Sequence, residues 1–163
     1  MLDKDLEIAY RMYYQPLFLY ALSLSKNKED AEDLVANTFV KALLSYEHGN
    51  LKAWLYIVLK NEFYNLYKKR KRLIDEGKMT LEWIQDTSDV LKDFIKEDQK
   101  RWLYEHIYKL SALEQEVMLL TLQNDLKDEV ISKLLNITVE NVRVIRYRVK
   151  KKLILLCEQE GYL

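Results

Sequence analysis

A basic segment near the end of the chain, NVRVIRYRVKKKL (141–153), combines side chains that bind phosphate with side chains that contact bases. Arginine and lysine pair with phosphate, and arginine can also fork onto guanine. At about 100° per residue, one side of a helix carries the basic and aromatic residues Arg143, Arg146, Tyr147 and Lys150. The other side carries an apolar stripe: Val142, Ile145, Val149, Leu153 and Leu156. The segment is predicted to be an amphipathic helix whose basic face suits nucleic acid.

A second short helix is predicted directly before it. The run VISKLL (130–135) has a helical apolar pattern, and Asp125 is expected to cap it. Asn136 and Ile137 form a tight turn, and Thr138 is expected to cap the basic helix. This is a helix-turn-helix layout, in which Arg143, Tyr147 and Lys150 would point into a major groove. The alternative is that the basic residues only form a solvated helix face.

A long helix in the first half, predicted from Lys52 to about Arg72, carries another stripe of this kind. Aromatic faces on which bases stack, alternating with cations that track phosphate, suit single-stranded nucleic acid. Five such residues share an arc of about 80°, opposite the apolar residues Leu55, Leu59, Phe63 and Leu66: they are Tyr56, Lys60, Tyr64, Tyr67 and Lys71. With 12 tyrosines in the chain, chance placement beside lysine is the alternative.

Composition favours an all-α protein without chemistry of its own. Apolar residues make up 49% of the chain, while 3 Gly and 1 Pro leave few hairpin turns. One Cys and 2 His make a protein-only zinc site improbable and exclude an internal disulfide. No Gly-rich phosphate loop or Cys–His pairing is present, so we predict no catalytic residues, no metal, no cofactor and no enzyme activity. Acidic residues at the N-terminus and the lack of an 18-residue apolar run predict a cytoplasmic protein without membrane insertion.

The charge of the chain is balanced but unevenly placed. The 26 basic and 26 acidic residues cancel. Residues 60–72 nevertheless hold six basic residues and one acid, and residues 138–152 hold the same numbers. Such local patches matter more for phosphate binding than the net charge does.

Helix signals divide the chain into two small helical domains. Leu2 to Leu24 is helical, with Pro16 either opening a new helix or kinking the old one. Asn27 is expected to cap a second helix that ends near Leu44. Residues 73–96 are acidic and weakly periodic and are predicted to be a linker, although Leu81, Trp83 and Ile84 suggest that it lies on a folded surface. A helix through Tyr108 follows, and Ser111 with Glu114 is expected to form the capping box of the next helix.

Taken together, the two halves resemble the extracytoplasmic-function sigma factors of the sigma-70 family. The runs DAEDLVANTF (30–39) and KAWLYIVLKNEFYNLYKKRKR (52–72) are similar to their region 2. The run LSALEQEVMLL (110–120), with the helix-turn-helix that follows, is similar to their region 4. The resemblance implies a region 2 helical bundle over residues 1–72 and a region 4 helix-turn-helix over residues 97–163.

The resemblance also implies roles for residues of the first half. In the family, the helix that begins near Asp30 grips the clamp helices of the polymerase β′ subunit. The residues at that face here are Asp30, Asp33, Asn37 and Lys41. The loop before Trp54 captures a flipped base of the minus-10 element, which needs a pocket with polar edges to offset unstacking. The residues expected at the minus-10 element are Tyr46, His48, Asn50, Trp54, Tyr56, Lys60, Asn61 and Tyr64.

In the second half, four residues match the positions with which the family contacts the minus-35 element: Arg143, Val144, Tyr147 and Arg148. Val144 and Tyr147 could press on thymine methyl groups, and Arg143 could fork onto guanine. Further contacts are expected from Thr138, Arg146 and Lys150. Gln115 stands where the family often has Arg, so one backbone contact is expected to be absent. The implied partners are core RNA polymerase, through its β′ clamp helices and β flap, promoter DNA, and an anti-sigma factor.

Two other classes of protein also fit parts of the sequence. A helix-turn-helix regulator could bind duplex DNA without acting as a sigma factor, but it would not use the aromatic and basic stripe of the first half. A helical protein-interaction module could present its basic faces to acidic partners. Stable binding to core polymerase separates the sigma factor from both.

Overall fold

The computed structural model describes residues 3–122 and 126–161, which form eight α-helices and no strand. The helices are α1 (Asp3–Ser25), α2 (Lys28–Ser45), α3 (Leu51–Asp75), α4 (Ser88–Phe94), α5 (Asp98–Ile107), α6 (Ala112–Thr121), α7 (Asp128–Leu135) and α8 (Val139–Gln159). The all-α prediction is confirmed. The chain divides into two compact units between Thr87 and Ser88. Within the described ranges, no helix combines the length and apolar composition that a bilayer span requires.

The first unit is a bundle of α1, α2 and α3, each of which packs on the other two. Leu17, Leu22 and Val35 are among its fully buried side chains. The cap prediction is confirmed, since the Oδ1 of Asn27 accepts a hydrogen bond from the Asp30 amide at 3.0 Å. Helix α1 runs through Pro16, so the alternative in which Pro16 opens a new helix is wrong. Burial of the turns that follow Pro16, from Leu17 to Leu22, offsets the backbone hydrogen bond that proline cannot make.

After α3 the chain folds back onto the first unit. Asn27 donates from Nδ2 to the Trp83 carbonyl at 2.7 Å, and the Gln85 amide donates to the Lys26 carbonyl at 2.9 Å. The Arg70 guanidinium lies 4.9 Å from the centre of the Trp83 ring. The first part of the predicted linker therefore lies on a folded surface.

The second unit contains α4 to α8. The sequence analysis did not predict α4, which anchors itself through the buried Leu91 and the following Ile95. The capping box at the start of α6 is confirmed, with Ser111 and Glu114 each bonding the backbone amide of the other.

The predicted helix-turn-helix is formed by α7 and α8. Asn136 ends α7 in the left-handed conformation, with φ 54°, which asparagine tolerates better than most residues. Thr138 caps α8, since its Oγ1 accepts from the Asn141 amide at 3.0 Å. The predicted cap Asp125 lies outside the described residues. The residue that precedes α7 is Lys127, which makes no side-chain cap bond.

Candidate nucleic-acid and protein interfaces

Helix α8 has one buried side and one broad exposed side. Val142, Val149 and Leu153 are buried where α8 packs on α6 and α7. The four residues predicted to contact the minus-35 element are all exposed, and Tyr147 is 67% exposed: Arg143, Val144, Tyr147 and Arg148. Lys150 is exposed as well. The structure thus places these side chains on surface that a DNA groove could reach.

A single carboxylate on α7 holds two arginines of α8. The Oδ2 of Asp128 accepts a hydrogen bond from Arg143 Nε at 3.1 Å and from Arg146 Nη1 at 3.3 Å. Its Oδ1 accepts from Arg146 Nη2. The Asp128 side chain is 20% exposed and that of Arg146 is 21% exposed, whereas that of Arg143 is 61% exposed. The two arginines therefore share a partner but differ in access to solvent.

The pKa of the Asp128 carboxyl is lowered from its usual value. The hydrogen bond from Arg146 is the largest cause, and the bond from Arg143 acts in the same direction, while burial opposes both. The carboxylate is therefore ionised at neutral pH. It contributes to stability at neutral pH, and this contribution is lost only as the pH falls through the lowered pKa.

Arg146 does not share the open face predicted for it. Its Nε donates to the Thr121 hydroxyl at 3.0 Å, and its terminal nitrogens bond Asp128. Arg146 lies on the side of α8 that packs on α6 and α7, so its guanidinium links these helices rather than extending into solvent. The prediction that Arg146 lies on the exposed face is wrong, while its contact with DNA stays a prediction. Thr138 is exposed, with its hydroxyl engaged as the cap of α8.

The aromatic and basic stripe predicted on α3 is exposed only over its second half. Tyr64, Tyr67 and Lys71 are exposed. Tyr56 is 1% exposed and Lys60 is 5% exposed, so the prediction that they face nucleic acid is wrong. The physical reason is that the first half of α3 packs on α1 and α2 together, which buries a wider arc than a single contact would. Lys60 extends its ammonium to 5.6 Å from the centre of the Tyr64 ring.

The loop between α2 and α3 is held by its own side chains. Tyr46 donates from its hydroxyl to the Gly49 carbonyl at 2.5 Å, and its ring meets that of Trp54 edge-on, with centroids 5.5 Å apart. Asn50 caps α3, accepting at Oδ1 from the Ala53 amide at 3.1 Å. His48 is exposed at the tip. The structure therefore brings Tyr46 and Trp54 together, while Asn50 uses its side-chain oxygen within the helix cap.

Three of the four residues predicted to bind polymerase form an exposed line on α2: Asp33, Asn37 and Lys41. Lys41 pairs with Glu62 of α3. Asp30 lies on the same line of α2, but the prediction that it is exposed is wrong, while its contact with the polymerase stays a prediction. Its carboxylate accepts two hydrogen bonds from Arg70, at 2.5 and 2.9 Å, and is only 14% exposed. The pair joins α2 to the basic end of α3, and 40 residues of chain separate its members.

The sequence analysis did not identify Asp128 or the internal role of Gln115. Gln115 is buried and donates from Nε2 to the carbonyls of Tyr108 and Leu110, at 3.0 and 2.7 Å. It thus fastens the turn between α5 and α6. One feature of the sequence could have identified Asp128. It is an acid at the start of the first helix of the pair, from which it can reach basic residues of the second helix. Among the described residues, no group of three His, Cys, Asp or Glu side chains could hold a metal ion.

Known proteins match both the first unit and most of the whole chain. The family model for Sigma-70 region 2 matches residues 9–73, which include most of α1 and all but the end of α3. The ECF RNA polymerase sigma factor SigM of Bacillus subtilis is 28% identical over 88% of this chain and 90% of its own length. The RNA polymerase sigma factor YlaC of the same organism is 29% identical over 91% of this chain and 90% of its own.

A solved structure extends the match to the fold of both units. This structure is the sigma factor RpoE of Bartonella quintana, crystallised in complex with the anti-sigma factor NepR. The match covers 95% of this chain and 98% of the RpoE chain, with a TM-score of 0.68 and 26% sequence identity. The chain is thus similar over both units to sigma factors of the extracytoplasmic-function group of the sigma-70 family. In this chain, α1 to α3 carry the region 2 match, and the helix-turn-helix of α7 and α8 lies in the part of the chain that the full-length relatives also cover.

Proposed function

We propose that this chain is a sigma factor that binds core RNA polymerase and directs transcription from promoters that have a minus-10 and a minus-35 element. One observation carries the proposal. The chain presents two separate faces of exposed aromatic and basic side chains, on α3 of the first unit and α8 of the second. Relatives named as RNA polymerase sigma factors match across both units.

In this proposal each part of the chain has its own task. Residues 1–72 hold the functions of region 2, residues 97–163 hold those of region 4, and residues 73–96 connect them. The line on α2 formed by Asp33, Asn37 and Lys41 docks on the β′ clamp helices, and region 4 meets the β flap. The minus-10 contacts come from the loop and the exposed part of α3: Tyr46, His48, Asn50, Trp54, Asn61 and Tyr64.

Region 4 combines two kinds of DNA contact. Arg143, Val144 and Tyr147 touch base edges of the minus-35 element, because they are exposed on neighbouring lines of α8. Arg148 and Lys150 hold phosphate, and Thr138 approaches the backbone at the start of the helix. Phosphate contacts fix the register of the protein without specifying sequence, while base contacts specify it.

The sigma factor performs no reaction itself in this proposal, since nucleotide transfer belongs to the polymerase, and it acts in the cytoplasm with that enzyme. Regulation by a protein partner is part of the proposal. The structurally similar RpoE was crystallised with an anti-sigma factor. A partner of that class would hold this chain inactive until a signal releases it.

Transcription in vitro tests the proposal. Purified core enzyme is given fragmented genomic DNA, with and without the full chain, and the 5′ ends of the transcripts are sequenced. We expect the chain to create a set of start sites that share two upstream elements. A double variant, Arg143→Ala with Tyr147→Ala, should still co-elute with core enzyme but lose those start sites. Failure of the wild-type chain to bind core enzyme, or to change the start sites, would contradict the proposal.

A further inference from the structure

The Asp128 carboxylate engages Arg143 at one nitrogen only. It accepts from Nε at 3.1 Å, and the two terminal nitrogens of Arg143 make no hydrogen bond to the described residues. The Arg143 side chain is 61% exposed, while the Asp128 carboxylate beneath it is 20% exposed. The less exposed carboxylate therefore holds the guanidinium at Nε and leaves both terminal nitrogens available for another partner.

Such an arrangement matters because recognition of guanine by arginine is bidentate and depends on orientation. Two nitrogens of the planar guanidinium must meet the O6 and N7 of one base. A free arginine loses rotamer freedom when it makes this contact, whereas an arginine already held from behind loses less. A charge-assisted bond to a carboxylate is strong enough to provide that restraint.

A second link fixes the carboxylate itself. Asp128 is bonded by Arg146, which is anchored at its own Nε by the Thr121 hydroxyl at 3.0 Å. Thr121 ends α6, Asp128 begins α7, and Arg146 lies in α8. The carboxylate is thus held relative to three helices, and it offers Arg143 a fixed rather than a mobile partner.

We propose that Asp128 is a positioning residue that fixes Arg143 for base recognition and thereby determines selectivity at one base pair of the upstream element. The inference rests on the proposed function, since it requires α8 to contact duplex DNA. Asp128 itself makes no contact with the base. Its negative charge also opposes the DNA phosphates, so it lowers affinity for every sequence while raising preference for one.

Selection by the complete holoenzyme tests the inference. Promoter duplexes with a randomised upstream element are bound by core enzyme carrying wild-type, Asp128→Asn or Glu129→Gln chains, and bound duplexes are sequenced. Glu129 is the matched control because it is exposed in the same first turn of α7 and loses the same charge. We expect Asp128→Asn to reduce base preference at one position by about 2- to 10-fold, the range given by the cost of immobilising one long side chain. Affinity for unrelated duplexes should rise slightly in both variants.

Two further variants separate positioning from loss of structure. In an Arg143→Ala background, Asp128→Asn should not relax preference further, because the residue through which it acts is gone. Thr121→Ala removes one anchor of Arg146 but leaves the bonds from Arg146 and Arg143 to Asp128 in place, so it should relax base preference less than Asp128→Asn does. The inference is overturned if Glu129→Gln or Thr121→Ala relaxes preference as much as Asp128→Asn does. It is also overturned if Asp128→Asn lowers affinity for all duplexes without a change in preference.

A different result of the same experiment would contradict the proposed function. A wild-type holoenzyme that selects no upstream element at all would contradict the assignment of α8 as a DNA-binding helix. A wild-type holoenzyme that selects an element, with a base preference unaffected by Asp128→Asn, would contradict only the positioning role. The wild-type arm therefore decides which of the two proposals has failed.

Discussion

Two groups of exposed basic side chains lie along α8, and they differ in how they are held. Arg143 is restrained by Asp128 and lies one turn before Tyr147. Lys151 and Lys152 are exposed about two turns further along the helix. A restrained guanidinium suits base contacts, and a flexible ammonium suits phosphate. The proposal therefore predicts different consequences for their removal.

We expect Arg143→Ala to cost about 1–3 kcal/mol of binding to the preferred upstream element and to relax base preference at one position. Lys152→Ala is the control, since it should weaken all sequences alike or have no effect. Titration of both holoenzymes with the preferred duplex and a mismatched duplex, at one stated salt concentration, measures the difference. If both variants lose the same amount of binding free energy and neither changes base preference, α8 contacts DNA through charge alone and does not read bases.

Residues whose partners are near in sequence could be predicted, and residues whose partners are distant could not. Three caps followed from their local spacing, at Asn27, Ser111 and Thr138, because the bonded amide lies three residues further on. The pair between Asp30 and Arg70 spans 40 residues, so no local pattern indicates it. The same limit explains why Asp30 was expected to be exposed.

At the scale of the helix, the period predicted the apolar stripe but not its width. Leu55 and Leu59 are fully buried as expected. Tyr56 and Lys60 lie one position further round and are also buried, because α3 packs on two helices. An amphipathic pattern indicates which side faces the core, while the number of neighbours decides how far burial extends. Helix α4 was missed for another reason. Its seven residues form too few turns for a helical period to be visible in the sequence.

The segment that follows α3 is fastened by one aromatic side chain. Trp83 packs under the Arg70 guanidinium, with 4.9 Å between that group and the ring centre. We expect Trp83→Ala to release residues 77–87 from the first unit, because the remaining backbone bonds are few and exposed loops open readily. Limited digestion with proteinase K, followed by mass spectrometry of the fragments, should show faster cleavage in this stretch.

Leu81→Ala is the matched control for that experiment. It shortens an apolar side chain of the same segment, but Leu81 is already 61% exposed. Its cleavage rate should stay close to that of the wild-type chain. If Trp83→Ala is cleaved in residues 77–87 no faster than the control, the segment is held by its hydrogen bonds with Lys26, Asn27 and Lys28 rather than by the Trp83 ring.

For the whole molecule, the balanced charge has a consequence for how promoters are bound. With 26 basic and 26 acidic residues, the chain has little long-range attraction for DNA beyond its two basic faces. Promoter binding should therefore depend on the polymerase, which adds its own contacts. The exposed line on α2 is where we propose that the chain meets the polymerase, and its acidic member is Asp33.

Asp33→Arg tests that contact in the full chain. Asp33 is exposed and makes no ion pair within the described residues, so the fold should be unaffected and the melting temperature should stay near the wild-type value. We expect Asp33 to meet a cation of the core enzyme, so the reversed charge would place like charges opposite each other at a cost of roughly several kcal/mol, and affinity should fall by about tenfold or more. Glu32→Arg makes the same change in charge about 100° round the helix and should bind core enzyme more tightly than Asp33→Arg does. Equilibrium titration of labelled chains with core enzyme measures both variants. If Asp33→Arg binds as tightly as the wild-type chain, core enzyme docks on another face of the first unit, and the assignment of α2 is wrong.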